Sequence, residues 1–456
     1  MLNNIILNTD SYKASHFLQY PPGTTQVMSY IEARNGGVFD KTLFYGLQIF
    51  LKEYLSKPVT FEMIDEAEAF FKLHGEPFNR EGWEYIVREL NGKLPIHIEA
   101  VPEGTIVPTG NVLVQVWSTD PKCIWLTSYI ETSLLRAVWY PSTVATVSWS
   151  AKQIIFDALI RSSDNPKTEI SFKLHDFGSR GVSSNESAGI GGSAHLVNFM
   201  GSDTVQGVRY ANHYYGAQMA GFSIPAAEHS TITSWGRAGE RDAYANMIAK
   251  FGDGLVAVVS DSYDLTHAVT KIWGDDLYKQ VMGMKGMLVV RPDSGHPATI
   301  VLETVRNLDN SFGATVNSKG YRVLNKVRVI QGDGINLNSI REILDTLLSA
   351  GYSADNIAFG MGGQLLQGIN RDTIRWAMKC NQIIVNGEVR RVFKQPATDP
   401  SKSSKSGALK LVRLQNHLVT VPHNADGVNI MIPVFHNGEI LREYSFTEIR
   451  ERTDQS

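Results

Sequence analysis

Short apolar runs, each followed by a polar turn, recur along the middle of the chain. Residues 287–290 have the length and composition of a buried strand, and they lead directly into Arg291-Pro-Asp-Ser-Gly295. Pro292 has no N–H to donate to a sheet ladder, and Gly295 allows the chain to turn. Arg291 and Asp293 are therefore expected where a buried strand reaches the surface, a position that favours a chemical role over a structural one.

The same alternation predicts a parallel sheet. Apolar segments at residues 170–174, 255–259, 327–330 and 357–359 also lead into turns rich in glycine and charged or polar residues. The clearest predicted helix between them has its apolar stripe at residues 340–348, with Asn338 as candidate N-cap and Gly351 as its stop. Strand–helix alternation with polar strand ends is typical of an α/β fold. We favour an irregular β/α barrel, although a doubly wound open sheet would also place ligands at these strand ends.

The regions on either side of this alternating part have a different pattern. Residues 1–150 mix clustered strands with separate helices, which predicts an α+β domain. Within it, an apolar helix over residues 124–139 is expected to end at Tyr140 and Pro141. The barrel is predicted over 168–380. Residues 381–456 are strand-rich again and are expected to pack back on the N-terminal domain.

Composition and charge exclude several classes of protein. With 43% hydrophobic and 20% charged residues, the chain of 456 residues resembles an ordinary globular protein. A net charge of -3 gives no global attraction to nucleic acid or an anionic membrane. Cys123 and Cys380 lie far apart and are expected to be reduced. No signal peptide or membrane-spanning run of about 20 apolar residues is found, so a cytoplasmic location is expected.

Two glycine turns indicate phosphate binding. Gln331-Gly-Asp-Gly334 and Gly360-Met-Gly-Gly363 follow consecutive predicted strands near the end of the alternating part. Glycines there expose backbone N–H groups to an anion, and β/α barrels frequently bind phosphate at their last loops. A single turn of this kind would be uninformative, but two in succession favour a phosphate site over two ordinary tight turns.

Cations and carboxylates also gather at the predicted strand ends and in the flanking loops. The cations are Arg34, Arg180, Arg291, Arg371, Lys379, Lys394 and Lys402, and the carboxylates are Asp203, Asp261, Asp293 and Asp333. Each cation alone fits a solvated surface charge, but a diphosphate needs several cations, and arginine offers a bidentate fork. The carboxylates could hold ribose hydroxyls or Mg²⁺, which commonly takes one or two carboxylates plus substrate phosphates.

Two further side chains stand in polar loops. His229 follows Glu228 and could serve as acid, base or nucleophile toward phosphate, although isolated histidines are usually structural. Phe177 could stack on a planar ring or simply anchor its loop. The chain contains no P-loop, H-E-x-x-H or G-x-S-x-G motif. The residues alone therefore predict an enzyme that acts on a phosphorylated sugar or nucleotide with Mg²⁺.

An ordered set of motifs resembles the nicotinamide phosphoribosyltransferase family. The motifs are Thr9-Asp-Ser-Tyr-Lys13, Phe44-Tyr-Gly-Leu-Gln48, His175-Asp-Phe-Gly178, Arg180-Gly-Val-Ser-Ser184, Ala226-Ala-Glu-His-Ser-Thr-Ile-Thr233, Val259-Ser-Asp-Ser-Tyr-Asp264, Arg291-Pro-Asp-Ser-Gly295 and Gln331-Gly-Asp-Gly334. The resemblance extends to Tyr444-Ser-Phe446 and covers essentially the whole chain. It implies a type II phosphoribosyltransferase fold and a homodimer with the active site at the subunit interface.

The resemblance also implies a reaction. Nicotinamide and phosphoribosyl pyrophosphate would give nicotinamide mononucleotide and pyrophosphate, in NAD salvage. Mg²⁺ would be the metal cofactor, and ATP hydrolysis would be coupled to product formation through a phosphohistidine at His229. Asp261, Arg291 and Asp293 join His229 as the catalytic set.

Binding roles are carried over in the same way. The nicotinamide ring would lie between Phe177 and Tyr12 of the partner subunit, and Asp203 would accept the carboxamide N–H. Arg291 and Asp293 would hold the base and the ribose. The 5′-phosphate would bind Gly332, Asp333, Gly362 and Gly363, and pyrophosphate would bind Arg180, Arg34, Arg371, Lys379 and Lys394, partly from the partner subunit.

Two departures concern substrate entry rather than the reaction class. Ser179 stands where an aromatic is expected in the animal enzymes, and the loop at residues 36–41 is shorter than theirs. Nicotinate is the close alternative substrate, but the Asp203 carboxylate suits a neutral amide and would repel an anionic ring. A non-catalytic nucleotide-binding protein on the same fold is a further alternative, against which the intact Arg291, Asp293 and His229 argue.

Overall fold

The computed structural model describes residues 3–398, 403–415 and 417–455, and Lys402 lies outside them. The strands are β1 (Thr24–Ala33), β2 (Lys41–Leu43), β3 (Ile96–Ala100), β4 (Ile106–Pro108), β5 (Val112–Ser118), β6 (Leu174–Asp176), β7 (Gly201–Ser202), β8 (Leu255–Val259), β9 (Met287–Arg291), β10 (Ala314–Val316), β11 (Arg322–Leu324), β12 (Val327–Gln331), β13 (Ile357–Met361), β14 (Trp376–Val385), β15 (Glu388–Arg391), β16 (Leu409–Leu414), β17 (His417–Pro422), β18 (Ile432–His436) and β19 (Glu439–Ile440).

The α-helices are α1 (Leu47–Phe50), α2 (Phe61–His74), α3 (Arg80–Leu90), α4 (Leu126–Tyr129), α5 (Glu131–Ser162), α6 (Pro166–Glu169), α7 (Asn185–His195), α8 (Val205–Tyr215), α9 (His229–Thr233), α10 (Glu240–Phe251), α11 (Leu265–His267), α12 (Tyr278–Gly283), α13 (Pro297–Phe312), α14 (Leu337–Ser349), α15 (Gly363–Leu366) and α16 (Phe446–Gln455). Two π-helical segments, Leu51–Leu55 and Ala268–Asp276, continue α1 and α11. Among these described helices, none is both long enough and apolar enough to cross a membrane.

The described residues form two compact units. Unit 1 comprises Met1–Thr146, His213–Ala217 and Asn370–Ser456, and unit 2 comprises Val147–Asn212 and Gln218–Ile369. Residues 213–217 and 370–380 fall inside the span predicted for the barrel but lie in unit 1.

Unit 1 is built on an antiparallel sheet. Its seven strands lie in the order β15-β14-β1-β5-β3-β18-β19, so three strands from the beginning of the chain lie between two pairs of strands from its end. The pairing of β1 with β14 is the longest, running from Thr24 opposite Val385 to Ala33 opposite Trp376. A large apolar core that includes Trp83, Trp125 and Phe435 lies against this sheet. Both cysteines belong to this unit and are free thiols.

Unit 2 is a parallel barrel. Six strands lie in the order β7-β6-β13-β12-β9-β8, and every pairing in this order is parallel. The two edges are joined by one short segment, since Phe222 forms a parallel bridge with Gly201 of β7 and Ala226 forms one with Ala257 of β8. This segment replaces regular strands and makes the barrel irregular. The predicted α/β fold with an irregular barrel is confirmed.

The barrel interior is filled by small and branched side chains. Ala257, Val289 and Ile330 form its buried cluster, against which Phe177 and Ile224 pack. Alternate residues of a barrel strand face inward, and β8, β9 and β12 each contribute one side chain to this cluster. The interior is thus a packed core, and ligands are left to the loops at its end.

Three predicted element boundaries are wrong. Residues 170–172 form a 3-10 helix because Pro166 starts a helical turn and Lys173 N–H bonds back to Ile170, so the strand begins only at Leu174. The N-cap of α14 is Asn336, whose side chain accepts from the N–H groups of Asn338 and Ser339.

The third wrong boundary is the helix end at Tyr140 and Pro141, because α5 continues through Pro141 to Ser162. The next turn is held from outside the helix: Ser142 Oγ accepts from Tyr45 N–H at 3.0 Å, and Thr146 Oγ1 accepts from Leu43 N–H at 3.0 Å. Gly46 makes room for the proline ring, since a Cβ there would lie 2.3 Å from Pro141 Cγ. These contacts offset the missing backbone hydrogen bond of the proline.

Candidate functional site

Most of the predicted site residues lie at one end of the unit 2 barrel. The strand ends supply Phe177 and Arg180 after β6, Asp203 after β7, Asp261 after β8, Arg291 and Asp293 at β9, Gly332 and Asp333 after β12, and Gly362 and Gly363 after β13. His229 begins α9, shortly after the segment that joins the barrel edges. Because parallel strands end on the same side of a barrel, the topology brings these residues together.

Phe177 lies at the centre of this end. Its N–H donates to the carbonyl of Met361 at 3.0 Å. A Cβ on Gly360 would lie 2.0 Å from the Phe177 ring, and a Cβ on Gly332 would lie 3.6 Å from the ring and 3.5 Å from Asp293 Oδ1. The ring therefore occupies space left by two glycines on neighbouring strands, and Asp293 comes close to the same point.

Arg291 and Asp293 form a bidentate ion pair. Arg291 Nε donates to Asp293 Oδ1 at 3.0 Å, and Nη2 donates to Oδ2 at 2.9 Å. Both side chains are 19% exposed, so the pair is partly shielded from water. Asp293 has a φ of 54°, in the left-handed region that aspartate tolerates better than most residues. This conformation turns the carboxylate back onto the guanidinium only two residues earlier.

His229 and Asp261 form a second pair. His229 Nε2 lies 2.9 Å from Asp261 Oδ1. The imidazole is 47% exposed, whereas the carboxylate is 7% exposed. A carboxylate accepts a hydrogen bond from the N–H of the ring, which places the proton on Nε2 and leaves Nδ1 with its lone pair. The arrangement suits an accessible nitrogen nucleophile whose ring is held by a buried acid.

Asp203 lies beside β6. Its backbone N–H donates to the carbonyl of Asp176 at 2.9 Å, and its carboxylate accepts from the hydroxyl of Ser223. Burial lowers the pKa of the neighbouring His175, and the negative charge of Asp203 partly opposes this. His175 is therefore expected to be neutral at neutral pH, and the exposed Asp203 side chain lies beside it as a hydrogen-bond acceptor.

The glycine turns leave backbone accessible. A Cβ on Gly363 would meet no atom within 4 Å, and one on Gly362 would meet only the Phe177 carbonyl oxygen at 3.7 Å. The first turn is held by Gln331, whose side-chain amide donates to the carbonyl of Asp333 at 2.9 Å. The second turn thus has open space beside its backbone for a ligand, whereas the first turn packs against Asp293, Phe177 and Pro297.

The remaining predicted cations lie in unit 1. Arg34, Arg371, Lys379 and Lys394 line a cavity of about 330 Å³, together with Arg375 and the carboxylates Glu131 and Asp372. Burial lowers the pKa of Lys379, and the neighbouring Arg34, Lys394 and Arg371 lower it further against the opposing effect of Glu131. The excess of cations makes the cavity a candidate anion site. Tyr12, also in unit 1, has a side chain that is 55% exposed.

No group of three or more histidine, cysteine or acidic side chains that could hold a metal ion occurs in the part of the chain that the structure describes. The donors that suit Mg²⁺ are the carboxylates of Asp261, Asp293 and Asp333 at the barrel end, and Mg²⁺ needs only one or two of these when phosphates complete its shell.

Several residues of the site could not be singled out from the sequence. Gly360 makes space for the Phe177 ring, Arg375 joins the unit 1 cavity, and Ser223 bonds to Asp203. Asp176 is fully buried at the end of β6. The His175-Asp-Phe-Gly178 motif contained Asp176, but its burial beneath the strand end depends on the fold.

The strand ends of this β/α barrel carry an aromatic ring, an arginine–aspartate pair and two glycine turns. Barrels of this class frequently bind phosphate at such strand ends. The sequence profile of the "Nicotinate phosphoribosyltransferase (NAPRTase) family" matches residues 172–439, and that of "Nicotinamide phosphoribosyltransferase, N-terminal domain" matches residues 4–98. The chain therefore belongs to the nicotinate phosphoribosyltransferase family, and the predicted resemblance is confirmed.

Individual relatives agree. A protein of Xanthomonas campestris pv. campestris (strain 8004) named nicotinamide phosphoribosyltransferase is 53% identical, over 99% of this chain and 98% of its own. A protein of the same name from Acinetobacter baylyi (strain ATCC 33305 / BD413 / ADP1) is 30% identical, over 98% and 96%. The crystal structure of nicotinate-nucleotide pyrophosphorylase from Pyrococcus furiosus aligns with a TM-score of 0.66 at 16% identity, over 99% of this chain and 95% of that one, and shows the shared fold.

Proposed function

We propose that the protein is a nicotinamide phosphoribosyltransferase that makes nicotinamide mononucleotide and pyrophosphate in NAD salvage. The observation that carries this proposal is the barrel end where Phe177, Asp293 and Gly332 meet, in a chain that is 53% identical to a protein of that name over almost its whole length. An aromatic face, a carboxylate and a glycine turn at one point suit a planar base, a ribose and a phosphate.

Positioning and charge stabilisation would account for the chemistry. Ribosyl transfer passes through an oxocarbenium-like state, so no protein nucleophile is required at the anomeric carbon. Arg291 and Asp293 hold base and ribose beside the Phe177 ring, and the turns at Gly332–Asp333 and Gly362–Gly363 bind the 5′-phosphate. Arg180 binds the pyrophosphate leaving group, together with the cations that the resemblance supplies partly from the partner subunit, namely Arg34, Arg371, Lys379 and Lys394. Mg²⁺, held by strand-end carboxylates, would supply further neutralisation of the leaving group.

Direct assay tests this function. Purified protein is incubated with nicotinamide, phosphoribosyl pyrophosphate and Mg²⁺, with and without ATP, and the mononucleotide is measured by chromatography. Product is expected. Its absence under both conditions would refute the proposal.

Nicotinate is the second candidate substrate, because the matching family profile carries its name. Asp203 favours the amide, since an anionic carboxylate on the base would be repelled by the exposed Asp203 carboxylate. A parallel reaction with nicotinate is expected to be much slower. In Asp203→Asn, the KM for nicotinamide is expected to rise about tenfold, because a hydrogen bond to a charged group contributes about 1.5 kcal/mol, with the KM for phosphoribosyl pyrophosphate little changed. An equal rise in both would contradict the assigned role.

ATP coupling is proposed to act through His229. The bond to Asp261 leaves Nδ1 as the nucleophilic nitrogen, and the exposed ring can reach a phosphoryl donor. His229→Ala is expected to lose stimulation by ATP while basal transfer persists, and acid-labile ³²P incorporation from γ-labelled ATP should disappear with it. Unchanged stimulation in the variant would exclude the phosphohistidine.

A homodimer is proposed as well. The resemblance supplies Tyr12 of the partner subunit as the second face for the base, and Tyr12 is 55% exposed in the single chain. Light scattering is expected to give twice the chain mass of 50.6 kDa. A monomer with full activity would contradict the shared site.

A further inference from the structure

The end of β6 carries a buried carboxyl group that the proposed mechanism does not use. Asp176 is 0% exposed, although it directly precedes the Phe177 ring. Its Oδ1 accepts from Gly178 N–H at 2.7 Å, across the residue that bears the ring. The carboxyl group therefore closes a tight turn around Phe177 and fixes the direction in which the chain leaves the strand.

The backbone of Asp176 makes a second connection. Its carbonyl accepts from Asp203 N–H at 2.9 Å, where β7 ends beside β6. Asp176 thus bonds to both sides of the proposed base site. Its side chain positions Phe177 through Gly178 N–H, and its backbone carbonyl positions Asp203 through the Asp203 N–H. Neither bond involves a side chain that is expected to touch the base.

The second carboxyl oxygen faces the interior. A Cβ on Gly192 of α7 would lie 3.3 Å from Asp176 Oδ2 and 2.8 Å from the Cα of Gly207 of α8, so this oxygen lies where the two helices cross. Within the described residues, Oδ2 and the nearby Thr204 hydroxyl make no hydrogen bond of regular geometry, although the Thr204 hydroxyl lies close enough to stabilise the charged carboxylate. Burial raises the pKa of Asp176 to about 6, with the Gly178 N–H and Thr204 opposing the rise. A buried carboxyl group without full pairing is costly, which favours a role beyond stability.

We propose that Asp176 is a positioning residue of the base site, which sets the Phe177 ring and the Asp203 carboxylate at the separation and angle that the nicotinamide ring requires. The inference rests on the proposed function. It differs from a purely structural role because the two bonds lead to Phe177 and Asp203, the groups assigned to the base, and neither donor belongs to the phosphate turns or the cation cavity.

Steady-state kinetics of Asp176→Ala and Asp176→Asn test the proposal. Asn keeps the Oδ1 acceptor for Gly178 and is expected to keep the KM for nicotinamide within about threefold of the unmodified protein, whereas Ala is expected to raise it about tenfold, the loss typical of one such hydrogen bond. The KM for phosphoribosyl pyrophosphate should change less than about threefold in both. Should the alanine variant fail to fold, Asp176→Cys, small and only weakly accepting, replaces it.

Asp309→Asn provides the matched control. Asp309 is a second buried aspartate of unit 2, and it accepts two bonds of 2.7 Å from Arg322. Its substitution is expected to lower the unfolding midpoint without moving the KM for nicotinamide. Equal losses for both substrates in Asp176→Ala, no change in it, or no recovery in Asp176→Asn would overturn the positioning role. Product formation by the unmodified protein tests the proposed function separately.

Discussion

Each unit buries a carboxyl group almost completely, and the two groups differ in what they hold. In unit 1, Glu103 is 2% exposed and accepts from Gly46 N–H at 2.9 Å, Gln48 N–H at 2.7 Å and the Tyr215 hydroxyl at 2.7 Å. In unit 2, Asp176 accepts from one N–H, and its second oxygen lies near the Thr204 hydroxyl without a hydrogen bond of regular geometry among the described residues. Burial raises the pKa of both groups.

The difference follows from where each acid lies. Glu103 joins three separate segments of unit 1, including the short piece around Tyr215, so its bonds serve the fold. Asp176 lies under the strand end from which the base site is built. Full pairing is expected of a structural acid, and incomplete pairing is tolerated where function retains it. The comparison predicts large losses of stability in unit 1 and selective losses of activity in unit 2.

The largest effect is expected for Glu103→Ala. Three buried donors would lose their acceptor, so the free energy of unfolding should fall by about 3 kcal/mol or more. Urea unfolding followed by circular dichroism measures this, with Glu103→Gln expected to recover part of the loss. A loss below about 1 kcal/mol would show that the hydrogen bonds of Glu103 are dispensable.

A packing change in unit 2 should act on the base site. In Gly360→Ala the new Cβ would lie 2.0 Å from the Phe177 ring, so the ring must move. Overpacking of this kind costs about 1–3 kcal/mol, and we expect a comparable loss in kcat/KM for nicotinamide. Gly283→Ala is the control, since its Cβ would meet no atom within 4 Å. Similar kinetics for the two variants would place the base away from Phe177.

The sequence predicts unit 2 better than unit 1 for a physical reason. At each barrel strand the apolar run and the polar turn are adjacent in the chain, and parallel topology then gathers the turns at one end. The glycine turns, Phe177 and the Arg291–Asp293 tip could therefore be assigned to one site from local pattern. The segment from Phe222 to Ala226, which joins the two barrel edges, could not be recognised in this way, because it lacks the alternating pattern of a regular strand.

Unit 1 depends on long-range register. Its cation cavity exists because β14 pairs with β1 and places Lys379 opposite Tyr30, a pairing between distant parts of the chain. Local pattern cannot fix such a register; the resemblance grouped these cations by role, and only the structure brings four of them to one cavity. The predicted helix end at Pro141 was wrong for the same reason, because the hydrogen bonds that stabilise the helix there come from the distant residues Leu43 and Tyr45.

A smaller effect is expected from two variants of Asp293, which distinguish the role of its backbone conformation from the role of its charge. Asp293→Ala and Asp293→Asn both remove the ionic partner of Arg291, so both should lose most of their kcat/KM. Alanine must also adopt the φ of 54°, which costs about 1 kcal/mol more than for asparagine. Asp293→Asn should therefore unfold at a higher temperature than Asp293→Ala, while the two variants have similar kcat/KM values. Equal unfolding temperatures would mean that the turn relaxes to another backbone conformation. Retained activity of Asp293→Asn would show that the Asp293 carboxylate is not required for catalysis.

The smallest expected effect is a pair of pH dependences of opposite sign, at His97 in unit 1 and at Asp176 in unit 2. In unit 1, burial and then His436 lower the pKa of His97 to about 4. The unfolded chain binds this proton first, so the stability that His97 provides is present above about pH 6.5 and is lost as the pH falls toward 4. In unit 2 the pKa of Asp176 is raised to about 6, so its contribution is present below about pH 4 and is lost as the pH rises through 6.

Urea unfolding at pH 5 and pH 7 separates these signs. Relative to the unmodified protein, His97→Gln should gain about 1 kcal/mol on going from pH 7 to pH 5, a figure reduced for solvent screening, because it no longer has the histidine to protonate. The stability advantage of Asp176→Asn should be largest at pH 7 and about half as large at pH 5, midway between the unfolded and folded pKa values of Asp176. The double variant should follow the sum, since the two residues belong to different units. Parallel slopes for the two single variants would contradict the assigned directions of the two pKa shifts.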